Sequence, residues 1–344
     1  MVKLENTLFV GNGLNRCLEG GIAWGDLLEN IAIQLGVSYN KEIEMPLEFE
    51  RIVNEFLKKS NGSRIDMSPT YYAIKAQISA AMQAPVTLGT CVHKSIPFNK
   101  IRNIITSNYD LILEQAYYET EKKTFAQGPI PKNVTKYLLG VTNDDEKIAF
   151  YHPHGIVTVP STICLGYEHY MGLVERIRNS SNSKVKGSTK KPLPLPHELK
   201  IQRILNGKDS ITNESWEKFY TSNLAFVGFG LWTCESDIWW LLTHRAYLYY
   251  SNYENIGDLI KNHITYYDIV NPRLSDVVEK DNHYELKNPR DYYSDKHKLL
   301  EGMHVEVRLR VVGPTQSYTD VYKSILDELK DEKSWSAPED DIDD

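Results

Sequence analysis

Short apolar runs that end in small or polar clusters recur along the chain. Leu8-Phe9-Val10 runs into Gly11-Asn12-Gly13, which reads as a buried strand and a tight turn. Helical periodicity follows at Trp24, Leu27, Leu28, Ile31 and Leu35. Residues 46–60 and 69–83 each carry an amphipathic pattern that begins at a proline, a favoured first helical position. Residues 101–106 are β-branched and apolar at alternate sites, which predicts a strand, and a helical pattern starts at Leu111. Residues 148–151 predict another strand. Residues 224–227 form the most apolar one, and 237–242 predict a buried helix after it. Further strands are expected at 265–270 and 305–312, and a closing helix at 318–329.

Strands alternating with helices predict an α/β fold: a Rossmann-like parallel sheet with helices on both faces and helical insertions. Residues 1–40, 84–166 and 221–330 are assigned to the α/β domain, and 41–83 and 167–220 to helical and loop insertions. Within the second insertion, residues 179–196 are polar, basic and proline-rich and read as a mobile loop. Residues 331–344, almost all acidic from Pro338 onward, are expected to form a disordered tail. There is no internal repeat. In parallel sheets of this kind ligands sit at the C-terminal strand ends. The polar clusters fall there, at residues 11–15, 106–110, 152–155 and 228–237.

Composition narrows the function classes. With 344 residues, 41% of them hydrophobic and 25% charged, the chain suits one large or two modest globular domains. A net charge of -7 argues against a generic nucleic-acid binder, so no direct nucleic-acid binding is expected. No apolar run approaches the ~20 residues needed to cross a bilayer, and the N-terminus lacks a signal-peptide pattern. Neither a membrane association nor export is therefore expected. Cys17, Cys91, Cys164 and Cys234 are far apart and form no C-x-x-C pair. That fits a reduced cytoplasm and excludes a four-cysteine zinc site.

Four motifs carry candidate chemistry. Gly11-Asn12-Gly13-Leu14-Asn15 lets backbone N–H groups approach a diphosphate, although Arg16 replaces the third glycine of G-x-G-x-x-G. An ordinary glycine turn accounts for it equally well. In Thr106-Ser107-Asn108-Tyr109-Asp110, the Asn108 amide donates and accepts at once and suits a ribose hydroxyl or a water. A helix N-cap explains one of these residues, not all of them. His152-Pro153-His154-Gly155 allows a metal pair, a general base at His154, or structural histidines. No matching ligand cluster stands out, so no metal is expected. Gly228-Phe229-Gly230 forms a backbone wall after a strand, and Asp237 either caps the next helix or reaches a ribose. Trp239-Trp240 reads as core or as a subunit contact, and Tyr247 to Tyr250 as part of the same aromatic surface.

In this order the motifs resemble the sirtuin family. Gly11 to Asn15 is similar to the family's G-A-G-x-S turn, Thr106 to Asp110 to its T-Q-N-x-D element, His154-Gly155 to its catalytic histidine, and Gly228-Phe229-Gly230 to its G-T-S segment. The ribose-binding asparagine of the family corresponds to Asn271. The similarity spans about three quarters of the chain. The zinc ribbon of protein-deacylating sirtuins is missing. The chain looks closer to bacterial sirtuin-like effectors of anti-phage systems, which deplete NAD. The resemblance implies NAD as the substrate, bound on the α/β domain.

The expected activity is hydrolysis of the nicotinamide–ribose bond. Nicotinamide leaves as a neutral molecule, so no general acid is needed, unlike the paired carboxylates of glycosidases. Asn108 is expected to orient the attacking water and a ribose hydroxyl, and His154 to accept a proton. Asp110 is expected to bind the nicotinamide carboxamide, and Asn271 the adenosine ribose. Gly11, Gly13, Gly228 and Gly230 would wall the diphosphate and adenosine, with Asn12, Asn15 and Asp237 also in the pocket. Three alternatives stay open: a deacylase or ADP-ribosyltransferase, a non-enzymatic NAD or ADP-ribose sensor, and a metal hydrolase at His152 and His154. A homo-oligomer, or control by an ATPase/helicase or an Argonaute-like chain, is expected from related defence systems.

Overall fold

A computed structural model of the chain describes residues 4–21, 23–59, 67–82, 88–125, 147–179, 197–208, 214–280 and 283–337. The strands are β1 (Glu5–Val10), β2 (Asn103–Thr106), β3 (Ala149–Tyr151), β4 (Ser222–Val227), β5 (Ile264–Val270), β6 (Val277–Lys280), β7 (His283–Leu286) and β8 (Glu306–Val311). The helices are α1 (Asn12–Asn15), α2 (Trp24–Gln34), α3 (Met45–Lys59), α4 (Met67–Met82), α5 (Ile112–Thr120), α6 (Tyr167–Asn179), α7 (His197–Leu205), α8 (Lys218–Thr221), α9 (Ser236–Ser251), α10 (Asp295–Gly302) and α11 (Tyr318–Glu328).

Six strands form one sheet in the order β3-β2-β1-β4-β5-β8, and every pairing is parallel. A parallel sheet is buried on both faces, so its strands read as continuous apolar runs. Side chains still alternate by the strand period of two. Phe9, Ile105, Tyr151, Phe226 and Tyr266 face the layer built by α6 to α10. Leu8, Ile104, Phe150, Ala225 and Tyr267 face the opposite layer, built by α5 and α11. The Rossmann-like expectation therefore holds, with helices on both faces.

The insertion at 41–83 contains α3 and α4, close to where the periodicity put them. With α2 they enclose a smaller core of Leu28, Ile31, Phe49, Val53, Ile74 and Ile78. Tyr109, Val157 and Ile163 belong to that core, so it sits on the loops that leave β2 and β3. Of the loop expected at 179–196, residue 179 ends α6 and the rest lies outside the described residues.

Two elements differ from expectation. The β6–β7 hairpin and α10 lie between β5 and β8, where no periodic signal stood out. The tail does not begin at 331. A short 3-10 turn at Glu332–Trp335 folds back, Trp335 is 3% exposed, and its indole donates to the Leu329 carbonyl at 2.9 Å. One buried tryptophan outweighs the acidic residues beside it, because burying so large a ring contributes roughly 1.5–3 kcal/mol. Residues 338–344 lie outside the described residues. No helix among the described residues is long and apolar enough to cross a membrane.

Candidate functional site

The strand order reverses between β1 and β4, so their chains leave the sheet side by side. The two glycine turns pack directly on each other. Gly11 N–H donates to the Val227 carbonyl at 3.0 Å, and Gly13 N–H donates to the Gly228 carbonyl at 2.8 Å. A Cβ on Gly11 would lie 2.4 Å from the Gly228 oxygen. Gly228 itself has φ +65, and a Cβ there would lie 2.7 Å from Leu14 Cδ1. Both requirements exclude a side chain.

Beyond the turns opens a cavity of about 360 Å³, in the range of small-molecule sites. Asn12, Gly13, Gly228 and Gly230 line it, whereas Gly11 stays behind the turn. The amides of Gly11 and Gly13 serve β4 and are not free for a diphosphate. Arg16, standing where a third glycine was sought, lines the cavity as an exposed cation with no ion-pair partner among the described residues. Helix α2 lines it with Trp24 and Leu28, and the insertion helix α3 with Met45 and Pro46. Tyr109 and Tyr170 add aromatic wall, and the Trp24 and Tyr109 rings meet edge-on at 4.6 Å.

Between Ser107 and Tyr109, both on the cavity wall, lies Asn108. It is 1% exposed, and neither its amide nitrogen nor its amide oxygen has a hydrogen-bond partner. Its backbone is held firmly. The Asn108 N–H donates to Thr106 Oγ1 at 3.1 Å, and its carbonyl meets His152 Nδ1 at 2.9 Å. The other ring nitrogen of His152 meets Glu114 Oε1 at 2.8 Å. Burial pulls the His152 imidazole down, but Glu114 outweighs it and the net shift is upward. His152 is thus a brace that ties the Asn108 loop to α5.

His154 turns the other way, into the cavity wall. Its Nε2 meets Asp237 Oδ2 at 3.0 Å, and its Nδ1 faces Glu235 Oε2 at 3.6 Å. Burial works to lower the His154 pKa, yet the two carboxylates leave it pushed up to about 9. Burial pushes Glu235 up to about 7 against the pull of His154. The group therefore holds an imidazolium at neutral pH. Ligand atoms of His154, Glu235 and Asp237 lie within 4.8 Å of one another, a spacing that a metal ion tolerates. Each ring nitrogen addresses a different carboxylate, however, which is the geometry of a proton-sharing chain, and we assign no metal ligands here.

Asp237 is not the helix cap. Glu235 holds that position of α9 and makes no side-chain cap bond, while Asp237 lies in the first turn and binds His154. Asp110 does not reach the cavity either. Its Oδ2 accepts from Asn15 Nδ2 at 2.7 Å and its Oδ1 from the Ile112 N–H at 3.0 Å. Burial raises its pKa, partly offset by that backbone bond. Asn15 is buried as well and meets His93 Nε2 at 2.9 Å, so Asn15 and Asp110 brace the loops instead of facing a ligand. Asn271 stands at the rim and donates to the Tyr318 hydroxyl at 2.7 Å, and the Tyr318 ring lines the cavity beside Asp268. Sequence reasoning passed over Glu235, Arg16 and Tyr170. The available signal for Glu235 is its place two residues before Asp237, ahead of a helix, in Cys234-Glu235-Ser236-Asp237.

Residues 102–232 match the family model of the SIR2-like domain. That span runs from β2 to just past β4 and includes Asn108, His154 and Gly228. No curated protein matches the chain. Over this span the chain is sirtuin-like, and SIR2-like domains bind NAD as substrate.

Proposed function

We propose that the chain is an NAD hydrolase that cuts the nicotinamide–ribose bond and releases nicotinamide and ADP-ribose. The observation that carries this reading is what one cavity brings together. Gly13, Gly228 and Gly230 line it with the exposed cation Arg16, suited to a diphosphate. His154 and Glu235 line it too, with Asp237 bound to His154 behind them and the unpartnered Asn108 amide between the wall residues Ser107 and Tyr109. A buried amide without partners costs about 1–3 kcal/mol. A ribose hydroxyl and the attacking water would satisfy both of its polar atoms.

The chemistry asks for no acid opposite the leaving group, because nicotinamide departs neutral. It asks for a site that orients water at the ribose C1′ and handles one proton. Asn108 orients the water, and the His154–Asp237–Glu235 group handles the proton. Arg16 holds the diphosphate against the side-chain-free wall of Gly13, Gly228 and Gly230, and Asp268 and Asn271 lie on the adenosine side. Asp110 acts through Asn15 and not on the carboxamide. The wider reading is an NAD-depleting effector of bacterial anti-phage defence, acting in the cytoplasm. An unrestrained hydrolase would drain its host, so a homo-oligomer or a regulatory partner controls it. Tyr247 and Tyr250, exposed on α9, are the proposed contact.

The test is to incubate purified protein with NAD and separate the products by chromatography. Equal amounts of nicotinamide and free ADP-ribose are expected, and the His154→Ala and Asn108→Ala variants should release neither. ADP-ribose recovered on protein would establish a transferase. NAD that stays intact under every condition would refute the hydrolase.

A further inference from the structure

The two nitrogens of His154 are both committed to carboxylates. Nε2 is hydrogen-bonded to Asp237, and Nδ1 points at Glu235. A ring in this setting has no lone pair to offer a water in the cavity. Glu235 differs. It lines the cavity and is 8% exposed, and its buried Oε2, which faces His154, has no hydrogen-bond partner. At 3.6 Å its contact with His154 is an ion pair and not a hydrogen bond, so the carboxylate keeps its accepting capacity.

The geometry points to Glu235 as the catalytic base that takes the proton of the attacking water, with the His154–Asp237 pair as its positioning group. This rests on the NAD-hydrolase reading above. As the water oxygen bonds to C1′, the bond from C1′ to the nicotinamide nitrogen breaks. Its electron pair leaves with neutral nicotinamide. One proton of the water moves to Glu235, the other stays on the new hydroxyl of ADP-ribose, and the carboxyl then returns its proton to solvent. Charge and atoms balance with no other reactant.

Several groups face Glu235. His154 comes from the end of β3, Asp237 from its own helix, Tyr109 from the loop after β2, and Tyr170 from α6. Cys164 and Cys234 complete the set. Lys75 and Glu44 lie one layer further out and act on those two thiols. Burial pushes Cys164 and Cys234 up to about 12 and raises both tyrosines, so these four stay neutral at working pH. The proton balance at neutral pH thus belongs to Glu235 and His154.

The experiment follows nicotinamide release by Glu235→Gln and Glu235→Asp between pH 5 and 9, with ADP-ribose binding measured by calorimetry and folding by thermal melts. In the wild type the rate should fall as the pH drops below about 7, where Glu235 takes up its proton. Glu235→Gln should lower kcat by about 10²–10⁴. Its ADP-ribose affinity should stay within about threefold, and the acid limb should vanish from its residual rate. Glu235→Asp keeps a carboxylate and should keep both the limb and part of the rate. If Glu235→Gln turns over at close to the wild-type rate while His154→Ala is inert, the imidazole is the base and the inference falls alone. If Glu235→Gln does not fold, Glu235→Asp decides, and a full rate without the acid limb overturns the inference. A wild-type chain that binds ADP-ribose but never releases nicotinamide removes the hydrolase reading and this inference with it.

Discussion

Replacing Asn108 with leucine should make the folded protein more stable and stop NAD cleavage. The side chain is 1% exposed, and both of its polar atoms lack partners. Leaving an amide buried and unsatisfied costs about 1–3 kcal/mol, whereas an apolar group of similar shape carries no such penalty. Leucine matches asparagine in branching and approximate size. Its tetrahedral end fits a slot shaped for a planar amide less well, which gives back up to about 1.5 kcal/mol. The net expectation is a gain of about 1–2 kcal/mol, or a melting temperature higher by about 2–4 °C. Urea unfolding at neutral pH reads the gain directly. The same titration with ADP-ribose reads the ligand contact. At a hundredfold excess over Kd the ligand stabilises the wild type by about 2.7 kcal/mol. The variant should show almost none of that shift. A variant destabilised by more than about 1 kcal/mol would show that the amide is satisfied within the fold. A full ADP-ribose shift would show that it never meets the ligand.

Two further predictions concern the charges. Arg16→Ala should raise KM for NAD about tenfold with kcat little changed, because an exposed cation supplies binding common to ground and transition states. The gap between variant and wild type should narrow in high salt, where exposed charges are screened, and a kcat loss with unchanged KM would place Arg16 elsewhere in the reaction. Stability should also fall as the pH rises. Folded Glu235 keeps its proton up to about 7 against an ordinary 4.5, and folded His154 up to about 9 against 6.5. The stability linked to each proton is full below the ordinary value and is lost as the pH climbs through the folded one, a change of roughly 3 kcal/mol for each group. Urea midpoints from pH 4.5 to 9 should therefore show Glu235→Gln losing the lower part of this decline relative to wild type. An unchanged difference across the range would contradict the buried, proton-holding group.

The sheet was legible because its strands are buried on both faces. Runs such as Leu224-Ala225-Phe226-Val227 have no exposed side to disguise, and each ends in a glycine or polar turn that marks the C-terminal edge. The hairpin β6–β7 was not legible. Its side chains alternate over four residues per strand and carry many charges, which leaves too little signal to separate it from a loop. The site was half legible for a related reason. A motif fixes which residue types gather at a strand end, but not which way each one turns. On an extended chain His152 and His154 would share a face, but Pro153 and His154 lie in a turn closed by the Gly155 N–H on the His152 carbonyl, so their side chains diverge: one braces a loop and the other meets the cavity. The motifs place Asp110 and Asn15 among ligand contacts, yet the two bind each other across 95 positions of chain. Glu235 does not stand out because its partner, His154, lies 81 positions upstream in the turn after β3.

Helices α2 and α3 share the cavity with the polar clusters at the strand ends. The parallel sheet positions Asn108, His154 and the glycine turns, but an open strand end would leave them in water. There Glu235 would titrate as an ordinary carboxylate, and its attraction to His154 would be screened. Trp24 and Leu28 of α2 and Met45 and Pro46 of α3 line the same cavity as Glu235 and His154. Burial raises Glu235 to about 7, and the two carboxylates raise His154 to about 9. On the hydrolase reading, an apolar wall of this kind would also limit the water that reaches an oxocarbenium-like carbon. The sheet thus sets where these groups stand, and their burial sets their protonation at neutral pH. The same motif residues at a strand end left open to water would show different acid–base behaviour, so what encloses them belongs to the site as much as the motifs do.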